Sequence, residues 1–150
     1  MIFNKPITEI ELSDINELKE KEIEESEVLD YKNEIDENNV LKEVVAFSNG
    51  QGGYLIYGIK ESGRKGNNRA SYPEEINGID KSFNCERLEH LIIGNIMPRV
   101  SVQFQKILIP ASDKMILIIY VPEGQNKPYY NNGSCTWVID LFLYILKFYC

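Results

Sequence analysis

Apolar residues recur along this chain with two different periods, and the places where the period switches outline alternating helices and strands. Between residues 37 and 47, Val40, Leu41, Val44, Val45 and Phe47 fall near the helical repeat, with Asn38 and Asn39 close to its start. The pattern predicts a helix there. It must end at Ser48-Asn49-Gly50-Gln51-Gly52-Gly53, because three glycines and an asparagine in six residues favour turn or left-handed conformations. The run Tyr54-Leu55-Ile56-Tyr57-Gly58-Ile59 that follows is short, apolar and aromatic, as expected of a buried strand. Upstream, Ser13 offers an N-cap oxygen ahead of Asp14 and Glu17, so a short first helix is expected to about Lys21. Residues 26–32 place β-formers among charges and read as a strand.

Downstream, residues 61–80 are dense in turn formers (Ser62-Gly63, Gly66-Asn67-Asn68, Pro73, Asn77-Gly78) and are expected to be loop. Leu88, Leu91, Ile92 and Ile96 mark a third helix over 83–96, closed by Pro98. Residues 100–104 alternate with period two, and 115–121 form an unbroken apolar run. These two are expected to pair as antiparallel strands. The order βαβ, then α, then ββ predicts helices packed on a mixed β-sheet, an α+β class with some α/β character.

A length of 150 residues suits one domain with one core. The net charge of −7 is unevenly spread: residues 9–43 hold 14 acidic and 4 basic residues, net −10, which leaves +3 for the rest. The acidity therefore does not exclude a nucleic-acid partner, whose phosphates need local Lys and Arg. Lys60, Arg64, Lys65 and Arg69 form the densest basic stretch and, with Arg99 and Lys127, are the candidate phosphate contacts; the plainer alternative is a set of solvated loop charges. Three separated cysteines, Cys85, Cys135 and Cys150, and one histidine, His90, build neither a disulfide framework nor a zinc site. His90 is expected at the surface of its helix. No apolar stretch follows a basic start in residues 1–12, so a cytoplasmic setting is the expectation.

At this point the residues resemble a known family, the Schlafen AlbA-2 domain, once labelled a divergent AAA domain. Three stretches carry the likeness: Glu25 followed by Asp30-Tyr31-Lys32; Ala46-Phe47-Ser48-Asn49-Gly50-Gln51-Gly52-Gly53 leading to Ile56-Tyr57-Gly58-Ile59; and Met97-Pro98, Val121-Pro122 and Lys127-Pro128. The resemblance implies contact with DNA or RNA, bacterial members being described as DNA-binding or transcriptional-regulator domains. Some animal Schlafens are endoribonucleases using three carboxylates, which by position fall on Glu25, Asp30 and Glu61. That makes a metal-dependent endoribonuclease the alternative, with Lys32 beside the acids, and a protein-interaction domain with an acidic face the second alternative. Homo-oligomers are compatible with either.

Chemistry supports parts of this reading independently. On a strand, Asp30 and Lys32 project from one face and Tyr31 from the other. Clustered carboxylates suit Mg²⁺ or Mn²⁺. The plainer reading makes Glu25 part of an acidic surface and Asp30–Lys32 an exposed salt bridge worth well under about 1 kcal/mol. The turn containing Asn49, Gly52 and Gly53 either aims N–H groups at a phosphate or simply lets a helix pass into a central strand. It is no Walker A loop, because its glycines precede a strand and no Gly-Lys-Ser/Thr follows. Tyr129 and Tyr130 either stack on bases or open an edge strand.

After Lys127-Pro128 the chain departs from the family pattern. The expected arginine is missing, and residues 135–150 are apolar but interrupted by Asp140 and Lys147, and shorter than the roughly 20 residues that span a bilayer. The expectation is a domain over 1–134 followed by an aberrant tail, the product of truncation or a frameshift, and no membrane partner.

Overall fold

The computed structural model describes residues 2–63 and 70–131, together with the backbone of residues 134–135 and 148–149. After a 3-10 turn at Ile7–Glu9, the elements are α1 (Leu12–Glu20), β1 (Leu29–Lys32), α2 (Glu37–Asn49), β2 (Gly52–Tyr57), β3 (Ile59–Glu61), β4 (Pro73–Ile76), β5 (Ile79–Asp80), α3 (Cys85–Asn95), β6 (Ile96–Met97), β7 (Gln103–Leu108), β8 (Lys114–Pro122), β9 (Tyr130–Asn131), β10 (Ser134–Cys135) and β11 (Phe148–Tyr149).

The main sheet is mixed. β1 lies parallel to β2, joined through α2 as a βαβ unit, and β2 lies antiparallel to β8 from Gly52↔Pro122 to Tyr57↔Leu117. β7 covers the other side of β8, and β5 pairs with its first residues. β1 and β7 are therefore the two edges. β3 and β4 form a separate ribbon, and β6, β9, β10 and β11 a small second sheet. The fold is α+β, as the sequence pattern predicts.

Strand alternation sorts the core into two layers. Leu55, Tyr57, Leu117, Ile119 and Val121 face α2 and α3, meeting Val40, Val44, Phe47, Leu88 and Ile92. On the opposite face, Leu29, Tyr31, Ile56, Ile116 and Ile118 are covered by the N-terminal segment through Phe3, Ile7, Ile10, Ile15 and Leu18. Each fully buried aliphatic or aromatic side chain contributes about 1.5–3 kcal/mol, so the N-terminal 20 residues form an integral layer of the fold.

Several local expectations shift by a few residues. The first helix is capped by Glu11, not Ser13: the Glu11 N–H donates to Asp14 Oδ2 at 2.8 Å, and the Glu11 side chain accepts from the Asp14 N–H. Asp36 caps α2 by accepting from the N–H groups of Asn38 and Asn39. The 54–59 strand is two strands, split at Gly58, whose φ of +98° few other residues adopt. The stretch expected as loop over 61–80 contains β4 and β5, short strands whose turn-rich sequence hides their pairing. The strand expected at 100–104 starts at Gln103 and runs to Leu108, because pairing with β8 sets its limits. The boundary expected at residue 134 falls beside residues outside the description, since 136–147 are not described.

Candidate functional site

The edge strand β1 places Asp30 and Lys32 on its α2-facing side, in register with Leu55 and Tyr57 of β2. Above them α2 contributes Glu43, which lies in the helix's apolar stripe between Val40 and Phe47 and is only 6% exposed. The Tyr57 hydroxyl donates to Glu43 Oε2 at 3.0 Å. Lys32 Nζ lies 3.3 Å from Asp30 Oδ2 and 3.8 Å from Glu43 Oε1, an ammonium forked between two buried carboxylates. Asp30 is 1% exposed while Lys32 is half-buried, so the salt bridge expected in solvent has its carboxylate end buried. That difference matters, because a buried carboxylate stripped of its partner costs several kcal/mol.

The other two carboxylates arrive from separate segments. Glu25 precedes β1 and reaches back along the free edge, where its Oε1 accepts the Tyr31 N–H at 3.1 Å; its own N–H donates to the Ser71 carbonyl at 2.8 Å. Glu61 ends β3, just past an irregularity in its pairing with β4. Glu25 lies near enough to Asp30 and Glu61 for both to act on its ionisation. The three carboxylates aligned by family position therefore meet around one edge strand, and Glu43 joins them.

Like charges this close cannot all ionise. Burial, then the neighbouring Asp30 charge and the hydrogen bonds to Asp30 and Glu61, push Glu25 up to about 10, so it holds a proton at neutral pH. Burial raises Asp30 too, against the lowering pull of Lys32. Burial and Asp30 push Glu43 up to about 7, with Lys32 and the Tyr57 hydroxyl acting the other way. Burial pulls the Lys32 ammonium down, yet Asp30, Glu43, Glu25 and Glu61 together raise it, so it stays charged. The site is an acid cluster that shares protons around one half-buried cation.

Its all-oxygen donors have the chemistry that Mg²⁺ or Mn²⁺ prefers. Their arrangement does not fit such an ion: among the described residues no three Asp, Glu, His or Cys side chains are disposed to hold a metal. Lys32 lies against Asp30 where a cation would be needed, and Glu25 is turned onto the Tyr31 N–H.

Of the expected phosphate contacts, Lys60, Arg99 and Lys127 lie among the described residues. Lys60 is exposed and paired with Glu75 at 2.7 Å and Glu74 at 3.9 Å. Lys127 bonds both Glu123 and the Gly50 carbonyl at 2.8 Å, tying down the turn. Arg99 is exposed, and Arg64, Lys65 and Arg69 lie outside the described residues. Around the turn, Asn49 makes a two-pronged clamp on the backbone of Tyr129, accepting its N–H at 2.7 Å and donating to its carbonyl at 2.9 Å. Gly52 and Gly53 belong to β2, in register with Pro122 and Val121. Structural duties thus account for all three turn residues. His90 is exposed on α3, Tyr129 is buried, and Tyr130 opens β9. Among the described residues no helix is long and apolar enough to cross a membrane.

Glu43 and Tyr57 do not emerge from reading the chain in sequence. The signal that could have found Glu43 is a carboxylate set within the apolar stripe of a helix, at i+3 from Val40 and i−4 from Phe47.

No curated protein matches the chain. Among solved structures it is similar to the N-terminal domain of a protein from Nitrosomonas europaea described as a putative ATP-dependent DNA helicase RecG-related protein, at 21% identity and a TM-score of 0.52, covering 85% of this chain and 81% of that one. It is also similar to the DIP2311 protein from Corynebacterium diphtheriae, at 16% identity and a TM-score of 0.55, covering 90% of this chain but only 26% of that one. These likenesses establish the fold. The family described as Schlafen, AlbA_2 matches residues 25–140, a span that takes in all three carboxylates and both glycines of β2, and the chain belongs to that family.

Proposed function

We propose that this domain binds nucleic acid and that the Glu25–Asp30–Glu61–Lys32 cluster at the β1 edge is its functional centre. The observation that carries the reading is the convergence of carboxylates from three separate segments around one half-buried lysine. Burying like charges costs stability, and such sites persist in proteins mainly where function needs them. Membership of the Schlafen AlbA_2 family supports nucleic acid as the partner, as does the occurrence of this fold in a protein named for a DNA helicase. Within that reading, the module is part of a cytoplasmic transcriptional regulator, and Arg99 and the basic stretch from Lys60 to Arg69 reach phosphates.

The same convergence favours a second reading, cleavage of a phosphodiester. The two separate in one experiment: labelled tRNA and duplex DNA are incubated with the protein at about 50 mM and about 200 mM salt, with EDTA or with Mn²⁺, and scored for retardation and for cleavage. Retardation that weakens steeply with salt is expected. Cleavage abolished by Asp30→Asn with retardation intact would establish the second reading. Absence of retardation at low salt with both nucleic acids would refute nucleic-acid binding and leave a protein-interaction domain.

A further inference from the structure

On the sheet face opposite Asp30 and Lys32, strand register lines up one row of side chains across four strands: Leu29 on β1, Tyr54 on β2, Tyr120 on β8 and Gln103 on β7. The two tyrosine rings lie 5.0 Å apart, tilted by 41°, and Phe3 packs edge-on against Tyr54 at 5.0 Å, holding that ring in place. Leu29 and Tyr54 are buried in the core that the N-terminal segment completes, whereas Tyr120 is half-buried and Gln103 exposed. A cavity of about 580 Å³ remains between Asn4, Lys5 and Ile7 on one side and Tyr54, Tyr120 and Gln103 on the other. Its size falls within the range of about 300–1,000 Å³ typical of small-molecule sites.

The lining narrows the ligand. Tyr54 is buried and Tyr120 half-buried, so aromatic surface forms the floor, while Asn4 and Gln103 are exposed at the rim. Each carboxamide offers both a donor and an acceptor. Lys5 is the one cation in the lining, and it is already paired with Asp14 at 2.9 Å, so the cavity has little attraction for a free anion. Flat π surface, neighbouring donor–acceptor edges and neutral charge together describe a nucleobase. Bases stack on aromatic side chains and are read along their hydrogen-bonding edges.

We infer that this cavity is a nucleobase-binding site, in which Tyr120 stacks the base, the buried Tyr54 ring lies beside it at the floor, and Gln103 and Asn4 bond the base's edge. The site is separate from the acid cluster and requires neither phosphate contacts nor cleavage. Its source is either a free nucleoside or an unstacked base of a single strand.

The test is a titration of the intact chain, carrying ¹³C-labelled tyrosine, with adenosine, guanosine, cytidine and uridine, with ribose 5-phosphate as the base-free control. Saturable shifts of the Tyr54 and Tyr120 ring signals are expected with at least one nucleoside and none with ribose 5-phosphate. Tyr120→Leu should weaken binding about tenfold or more, in line with the loss of one stacking ring, while Tyr120→Phe should keep it. Gln103→Ala, at an exposed strand position that does not threaten folding, should reduce the preference among the four bases. Tighter binding of a short single-stranded oligonucleotide than of its nucleoside identifies the polymer as the source, and equal binding identifies the free nucleoside. Absence of saturable ring shifts with all four nucleosides would overturn the inference. So would shifts that Tyr120→Leu and Gln103→Ala both leave unchanged. Because nucleosides carry no phosphate, either outcome is independent of the retardation experiment above.

Discussion

Replacing Glu43 by glutamine should stabilise the protein at alkaline pH and leave it nearly unchanged in mild acid. Glu43 has an ordinary value of 4.5 and is pushed up to about 7 in the folded protein, so folding favours its protonated form. The raised value means that this stabilisation is complete below about pH 4.5 and is lost as pH rises towards 7, the folded chain paying to ionise a buried carboxylate. At about 1.4 kcal/mol for each pH unit, the penalty reaches about 3 kcal/mol once the group is fully ionised. The attraction of Lys32 is already contained in that shift, because it acts to lower it. Glutamine keeps the shape and an acceptor for the Tyr57 hydroxyl and never ionises. Urea unfolding from pH 4 to pH 8.5 should show Glu43→Gln and the parent coinciding near pH 4 and less than about 1 kcal/mol apart at pH 5. They should separate by about 3 kcal/mol above pH 8, a midpoint gain of about 1–3 M for ordinary urea slopes. A variant less stable than the parent at pH 8, or a difference that does not change with pH, would refute the argument.

Three further outcomes follow from the geometry. Lys32→Met strips the buried Asp30 of its cation and should cost about 3–5 kcal/mol near neutral pH; in urea unfolding the loss should shrink in acid, where Asp30 is protonated in both folded and unfolded chains. Asn49→Ala removes both prongs of the clamp on Tyr129 and leaves a buried N–H and carbonyl unpaired, for about 2–4 kcal/mol, read as a lowered Tm. Gly52→Ala forces a side chain onto φ +74° with its Cβ 2.5 Å from the Val121 carbonyl oxygen, and should cost at least about 2 kcal/mol in the same melting assay.

The sequence alone carried the α+β class, the βαβ unit and the position of each long element, because those depend on local apolar periodicity. The 3.6-residue repeat of Val40, Val44 and Phe47 needs no tertiary information, and neither does the apolar run that becomes β8. Alternation along β1 likewise placed Asp30 and Lys32 on one face before any contact was known. Element limits were less legible: Gln103–Leu108 is a strand because β8 offers it a partner, and β4 and β5 are strands although their residues favour turns.

The candidate site divides along the same line. Family motifs could align Glu25, Asp30 and Glu61, but whether they touch depends on the β1 edge, the path of Glu25 along it and the docking of the β3–β4 ribbon. Only that packing buries the Asp30 end of the pair with Lys32, brings Glu43 and Tyr57 into the network and sets which carboxylate keeps its proton. It also ties Lys60 and Lys127 to acidic neighbours, and it aligns Tyr54, Tyr120 and Gln103, residues up to 66 positions apart, in one row. Periodicity is local and survives in a string of residues. Burial, ionisation and cross-strand neighbours are properties of distances between segments, which exist only once the chain has folded.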